Sequence, residues 1–446
     1  MKKKILLAIL TILIFIGVGV GYTYYTTDIF KTEKEMFFTY ILEDNILNKF
    51  EDKRMIQYAE KQKNTPFKNE GEISLNFDAG EEIIDKETKD MLNNSKITIE
   101  GKCDLKQKLS EQTITANFAQ AFTIPVNFIL DGNALGIQSG FLHTKFLAVK
   151  NENLDELFEK LGIEDEEIPE KIEITNEEFT TEEIETIKNK YFSIITDNLE
   201  PELFTKEKIE NQMVLTLKMK EQKFSDILVK ILETAKNDET ILNKLTAVIE
   251  KEEIQSEIES MIEDIKDIKT NEDTILEIKL YIEDKDIVKY AIIAKEKEEI
   301  ISRILIEDID NNVNIKIYEE KELCGDITII KETIENNLTY TMSMKIYDDI
   351  SGDGEIKLKA QYKNLDTLED VKEKYEVTIE FENTDEYEEP TGEMTELTIK
   401  YDVETDFSDN LEIERLTEEN AIILNDQTEE ELQDLILTIY QKLGLI

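Results

Sequence analysis

Apolar and polar positions alternate along this chain in three different ways. From Ile5 to Tyr25 the chain is apolar apart from Thr11, Thr23 and glycines. At about 1.5 Å of rise per residue, a run of that length reaches across a hydrocarbon core of about 30 Å. Lys2, Lys3 and Lys4 precede it, and no lysine follows until Lys31. The pattern predicts a transmembrane signal anchor within residues 1–27, N-terminus cytoplasmic and the bulk of the chain extracytoplasmic. Tyr22, Tyr24 and Tyr25 fall where an interfacial aromatic belt belongs. A cleaved secretory signal is the competing reading, but Gly19-Val20-Gly21 is a poor processing site and the apolar run is long for it. Both readings put the remainder outside the cytoplasm.

Helical periodicity and strict alternation share the rest. A first lobe is expected over residues 28–163. Thr32 and Glu35 form a capping box opening a helix that runs to about Gln62. Between Glu70 and Lys150 the period becomes two, with Ile73, Leu75 and Phe77 on one parity, and Ile97, Ile99, Cys103 and Leu105 on another strand. Asp131-Gly132-Asn133 reads as a hairpin turn, and a short helix through Leu154, Leu157, Phe158 and Leu161 stops at Gly162. The acidic segment 164–175 reads as a linker.

A second lobe is expected over residues 176–446. It opens with a capping box at Thr180 and Glu183, stapled by Phe179 and Ile184. A strand over Gln212–Met219 leads into helices from Phe224 to Ile268, broken at Asn237-Asp238. From Thr274 to Val403 apolar residues alternate with Glu, Lys, Asp and Thr, as in a sheet with one dry and one wet face. A dry face of about eight strands needs a cover. The helices of 224–268 and the last helix, opening at Thr428 and carrying Leu432, Leu435, Ile436, Ile439 and Leu443, are the natural covers. The expected fold is α+β: an N-terminal transmembrane helix, then a large curved antiparallel sheet packed on helices, in two lobes.

Charge narrows the function. With 52 basic and 101 acidic residues the net charge is −49, which repels phosphate backbones and excludes nucleic acid as a partner. Peripheral docking on an acidic leaflet is disfavoured for the same reason. At 40% hydrophobic residues with 5 Pro and 15 Gly the chain is globular. One His, two Cys and no Trp leave a thin inventory for chemistry.

The constellations that remain are weak. Asp349, Ser351 and Asp353 resemble the first half of a calcium loop, with Gly354 at the sixth position and Ile356 at the eighth. The twelfth position, however, is Ala360 where a carboxylate belongs, and a tight hairpin accounts for the same residues. Asp308, Asp310, Asn312 and Glu319 match less well, with Val313 where glycine is required. Cys103 shares the parity of buried neighbours, Cys324 precedes Gly325 at a turn, and their separation argues against a disulfide. His143 has no second histidine or cysteine pair to complete a metal site. A carboxylate pair for glycoside hydrolysis stays open among so many acids, but without Trp as a sugar platform. No catalytic residue and no cofactor are expected.

The lysine-plus-apolar start running into TEKEMFFTYI (Thr32–Ile41), with LGIQSGFLHTKFLAVKNENLDELFEKLGI (Leu135–Ile163) and LVKILETAKNDETILNKL (Leu228–Leu245), resembles a family of uncharacterised membrane-anchored extracytoplasmic proteins of low-GC Gram-positive bacteria. That resemblance implies location and architecture and carries no catalytic residues. The expected role is a non-enzymatic interaction or scaffold protein of the cell envelope. It would contact the bilayer through its N-terminal helix and an envelope protein through its outer surface. A carrier of lipid or another apolar ligand is the alternative, and an envelope hydrolase the second alternative.

Overall fold

The computed structural model describes residues 31–43, 49–80, 84–119, 121–163, 180–245, 251–267, 273–309, 312–347, 353–384 and 390–445. The expected anchor, with Lys2, Lys3, Lys4, Ile5 and Tyr25, and the acidic linker 164–175 both lie wholly outside these residues. Among the described residues no helix is long and apolar enough to cross a membrane.

The helices are α1 (Glu33–Glu43), α2 (Lys53–Asn64), α3 (Lys86–Asn93), α4 (Leu154–Lys160), α5 (Thr181–Asp197), α6 (Glu221–Lys236), α7 (Glu239–Leu245), α8 (Lys251–Asp267) and α9 (Glu429–Lys442). The strands are β1 (Phe67–Asp78), β2 (Lys96–Asp104), β3 (Leu109–Phe118), β4 (Phe122–Asp131), β5 (Ala134–Ser139), β6 (His143–Lys150), β7 (Phe204–Ile209), β8 (Gln212–Lys220), β9 (Thr274–Glu283), β10 (Asp286–Glu296), β11 (Glu299–Ile309), β12 (Asn312–Glu319), β13 (Glu322–Ile334), β14 (Asn337–Ile346), β15 (Gly354–Lys363), β16 (Val371–Thr384), β17 (Pro390–Phe407) and β18 (Ala421–Ile423). They make a large, mostly antiparallel sheet structure with helices, an α+β arrangement.

Contacts divide the chain into two compact units, Met1–Glu51 with Glu173–Ile329, and Asp52–Ile172 with Ile330–Ile446. The contiguous lobes 28–163 and 176–446 therefore do not match the grouping. The reason is a long-range ladder: β1 pairs with β17, from Phe67 opposite Phe407 to Asp78 opposite Glu396, drawing the late strands to the early ones. The single helix expected from Thr32 to about Gln62 is likewise two. Asp52 interrupts it as a fresh N-cap, its side chain accepting from the Arg54 backbone N–H at 3.0 Å.

In the first unit, β7 to β12 pair as successive antiparallel neighbours. One face stacks Leu217, Ile278, Ile292, Ile304 and Ile317 in a single cross-strand row. Helix α6 follows β8 without a linker, so the helices between β8 and β9 fold back over the strands nearest their own connection. Phe224, Ile227 and Leu228 of α6, Ile195 of α5 and Ile265 of α8 close that face. Helix α1 is buried on nearly every side, with Met36, Phe37, Phe38, Tyr40 and Ile41 all in the core. Phe37 and Phe38 each meet Phe204 edge-on. The edge strand β7 escapes sequence reading because only Phe204 of its six residues is buried.

In the second unit the paired order is β14-β15-β16-β17-β1-β2-β3-β4-β5-β6, and β18 adds in parallel to β6. Asp131 pairs with Ala134 across a two-residue turn whose Gly132 has φ of +64°, the backbone such a hairpin demands. The capping boxes at Thr180 and Thr428 are both formed. Of the expected apolar face of α9, only Leu432 is buried, and Leu443 is exposed.

Asp52 also pairs with Arg54 at 2.8 Å and Lys331 at 3.5 Å. The hydrogen bond from the Arg54 side chain, against the opposing effect of burial, holds its carboxyl down at about 2. A depressed carboxyl stabilises the fold above the ordinary carboxylate range and loses that contribution as pH falls through its folded value. Asp52→Ala is expected to cost about 1–2 kcal/mol in urea unfolding at neutral pH, with the gap to the native chain closing between about pH 4 and pH 2. An equal midpoint for both chains at neutral pH would refute the cap.

Candidate interaction surface

Because side chains alternate along a strand and opposite residues share a face, the strand registers place one continuous apolar face across eight strands of the second unit. One row runs Tyr340, Ala360, Tyr375, Tyr401, Ile73, Ile97, Ala116 and Ile124. On one side of it lies the row Leu338, Tyr362, Glu373, Val403, Gly71 and Ile99. On the other lie Met342, Leu358, Val377, Ile399 and Leu75, then Met344, Ile356, Ile379, Leu397 and Phe77.

Helix α2 covers only the Tyr362 end. Tyr58 packs with Leu338, Tyr362, Leu365 and Val371, flanked by Met55. Glu373 sits in this core at 9% exposure. As an acceptor it takes two phenol hydrogens, from Tyr58 at 2.5 Å and from Tyr375 at 2.5 Å. Tyr362 Oη lies 3.2 Å from Tyr375 Oη, and Thr405 Oγ1 lies 3.1 Å from Tyr58 Oη. Each phenol has one proton and has spent it on Glu373, so Tyr362 and Thr405 are the donors in these two contacts. Burial first, and then the bond to Glu373, push the Tyr58 and Tyr375 phenols far up. Such phenols keep their protons, and the cluster fastens α2 to the sheet rather than supplying a nucleophile. Gly71 makes room beside it: a Cβ there would meet the Tyr401 ring at 2.9 Å.

Away from α2 the same face is open. Leu358 and Ile399 are each 36% exposed, Phe381 45% and Phe122 53%, the last stacked on Phe118 at 4.6 Å. The helices of 224–268 are grouped with the first unit, and α9 buries only Leu432. The opposite face is laced with ion pairs, Lys374 to Asp402 at 2.6 Å and Lys372 to Glu404 at 2.9 Å among them.

The sequence-derived candidates fall elsewhere. Asp349 and Ser351 lie outside the described residues. Asp353 is exposed at the start of β15, its backbone carbonyl accepting from Glu382 N–H at 3.0 Å. Ala360, the twelfth position of the calcium pattern, sits in mid-strand opposite Tyr340 and Tyr375, so the chain has straightened into a strand where a calcium loop would still be turning. Asp310 also lies outside the described residues, and Asp308 pairs with Lys49. Among the described residues no group of three or more His, Cys, Asp or Glu is poised for a metal. His143 accepts from the Lys145 backbone N–H at 3.0 Å through Nδ1. Cys103 and Cys324 are both free thiols. The Tyr58–Glu373–Tyr375 cluster was missed; the signal available was Glu373 on the parity of Tyr375 and Val377.

Removing the Tyr58 hydroxyl leaves a buried carboxylate short of a donor. Tyr58→Phe is expected to lower stability by about 1–3 kcal/mol, measured by urea unfolding. A loss no larger than that of an exposed control, Tyr440→Phe, would contradict the network.

No family model matches the chain, and no curated protein matches it. Among solved structures, a transferrin-binding protein B mutant from Haemophilus parasuis aligns at 7% identity over 76% of this chain and 75% of that one, with a TM-score of 0.12. OccK3 of Pseudomonas aeruginosa aligns at 5% identity over 80% of this chain and 100% of that one, with a TM-score of 0.17. At such scores neither alignment carries an argument about fold or function.

Proposed function

We propose that the chain is a single-pass, membrane-anchored extracytoplasmic protein of the cell envelope that acts without catalysis, by holding another protein. The observation that carries the reading is the open apolar face of β14, β15, β16, β17 and β1. Five strands at about 4.8 Å spacing give a patch about 19 Å wide, and apolar patches of that scale on soluble surfaces mark interaction sites. The apolar run Ile5–Tyr25 behind three lysines supports the anchor, and the curved two-lobed form expected for the ectodomain belongs to the same reading.

Two further observations favour this reading over its alternatives. A carrier of apolar ligand needs an unfilled apolar cavity. The sheet of the first unit is instead packed solid against its helices, with Leu215, Leu217, Leu228 and Leu280 at 0–1% exposure. Its two described cavities, of about 650 and 290 Å³, are walled largely by charged side chains such as Lys206, Lys208 and Lys285 in the larger. A hydrolase needs a carboxyl raised to act as an acid. Among the described residues every carboxyl whose acidity departs from its ordinary value is shifted down, by caps as in Glu183 and Glu431 or by lysines as in Glu200 and Glu259.

The test places a photo-crosslinking residue at Leu358 or Ile399, or on the opposite face at Lys400, in the full-length chain in its own cells. One discrete protein adduct from both apolar-face positions and none from Lys400 is the expected result. Equal, heterogeneous labelling from all three positions would sink the interaction reading. Protease added to wall-stripped cells is expected to remove a tag fused after Ile446; a sheltered tag would sink the location.

A further inference from the structure

The apolar face carried by β14, β15, β16, β17 and β1 is unlike ordinary surface in what it leaves out. Its two outer rows, Met342, Leu358, Val377, Ile399 and Leu75, then Met344, Ile356, Ile379, Leu397 and Phe77, hold only Met, Leu, Val, Ile and Phe. The row toward α2, with Tyr340, Tyr375 and Tyr401, adds phenols but no charge. Beyond the outer rows Ile346 and Phe381 are 47% and 45% exposed, and buried Thr395, opposite Phe381, ends the open area on β17. The carboxylate of this parity is Glu373, buried beside Tyr58. Asp78, Glu380 and Glu396, next in sequence to Phe77, Ile379 and Leu397, belong to the opposite face, and exposed Asp353 marks the rim at the start of β15.

Composition, shape and area together select the occupant. Interfaces with transient partners are about as polar as ordinary surface and anchor on Arg and Trp, whereas obligate homodimer interfaces resemble a domain core cut in half. Rows of Ile, Leu, Val, Met and Phe fit the second description. A sheet of five strands is twisted, and two sheets that share the same hand of twist pack face to face about 10 Å apart, their strands within about 30° of each other. A second copy offers the same twist and the same rows. Five strands at about 4.8 Å and three rows at about 6.8 Å cover about 500 Å², so two copies face to face bury about 1,000 Å², the size at which specific interfaces begin. We propose, resting on the reading of this face as an interaction surface, that its partner is a second copy of this chain, the two joined across a two-fold axis with β16 of one over β16 of the other.

The net charge of −49 opposes such a pairing, but its effect at this face is small. The outward faces of two stacked sheets are more than about 10 Å apart, beyond the Debye length of about 8 Å at physiological ionic strength. Acids there are also matched: Asp402 by Lys374, Glu404 by Lys372, Glu380 by Lys357 and Glu376 by Lys400. Two copies anchored in one bilayer would share a raised effective concentration, which lowers the affinity that the face must supply.

Two differently tagged full-length copies expressed together in their own cells test it, with a photo-crosslinking residue at Ile399 of one. The expected product has twice the mass of the chain, carries both tags, and has its crosslink within β14 to β17 or β1 of the second copy. Leu358→Glu in both copies sets like charges against each other across the two-fold axis, and is expected to cut the yield of that product about 10- to 100-fold at an unchanged protein level. If this variant fails to accumulate, Leu358→Thr replaces it, with a loss of about fivefold expected. One discrete adduct with a different protein and none carrying both tags would overturn the self-pairing while leaving the interaction reading intact; heterogeneous labelling would overturn both. A crosslink to lipid or within the same copy, a doubly tagged product joined outside these strands, or one undiminished by the variants would also overturn the self-pairing.

Discussion

The pairing of β1 with β17 is the contact on which the second unit rests. It joins residues more than 300 positions apart, Phe67 to Phe407 at one end, and brings the first lobe's strands into line with the last ones. Without it the apolar residues of β14 to β17 and those of β1 to β4 would be two unrelated stripes. With it, Tyr401 lies opposite Ile73 and one row continues across eight strands. A slip of a single residue in this ladder would carry every apolar side chain to the charged face and every ion pair to the apolar one. The neighbouring ladder of β16 with β17 carries cross-strand ion pairs, Lys374 with Asp402 and Lys372 with Glu404, that are exposed and each worth only about 0.2–1 kcal/mol. Their contribution is to penalise a slip of β16 against β17 more than to stabilise the right register.

Two carboxylates buried in sheets illustrate how surroundings set a role. Glu373 is held by neutral phenols and sits against the underside of α2, so its cluster is closed and its partners are spent. Glu277 is held by three ammonium groups, on a face that reaches solvent through Lys218. Burying a carboxylate is costly in both places, and the structure offsets that cost by hydrogen bonding in one and by charge in the other.

A net charge of −49 is an average over faces that differ in how closely acids are matched by bases. The acids spread along the whole sequence suggested uniform repulsion of anions. Alternation in β8 to β12 instead sorts lysines and Arg303 onto one face, where they meet Glu207, Glu277 and Glu307. That sorting is invisible until five strands are laid side by side.

Local patterns were legible because their causes are local. The capping boxes at Thr180 and Thr428, the break at Asn237-Asp238, the Gly132 hairpin and the alternation from Thr274 to Val403 each follow from groups within a few residues of one another. The sequence by itself determined the parity of β1, β2, β9, β12 and β14 to β17, and hence which of their residues could share a face. Tertiary structure decided which faces met: that α2 parts from α1 at Asp52, that Tyr58 reaches Glu373, and that the helices of 224–268 cover the strands beside their own connections. Parity is set by the two-residue repeat of a single strand, whereas cover depends on contacts across hundreds of residues, and no local pattern encodes those.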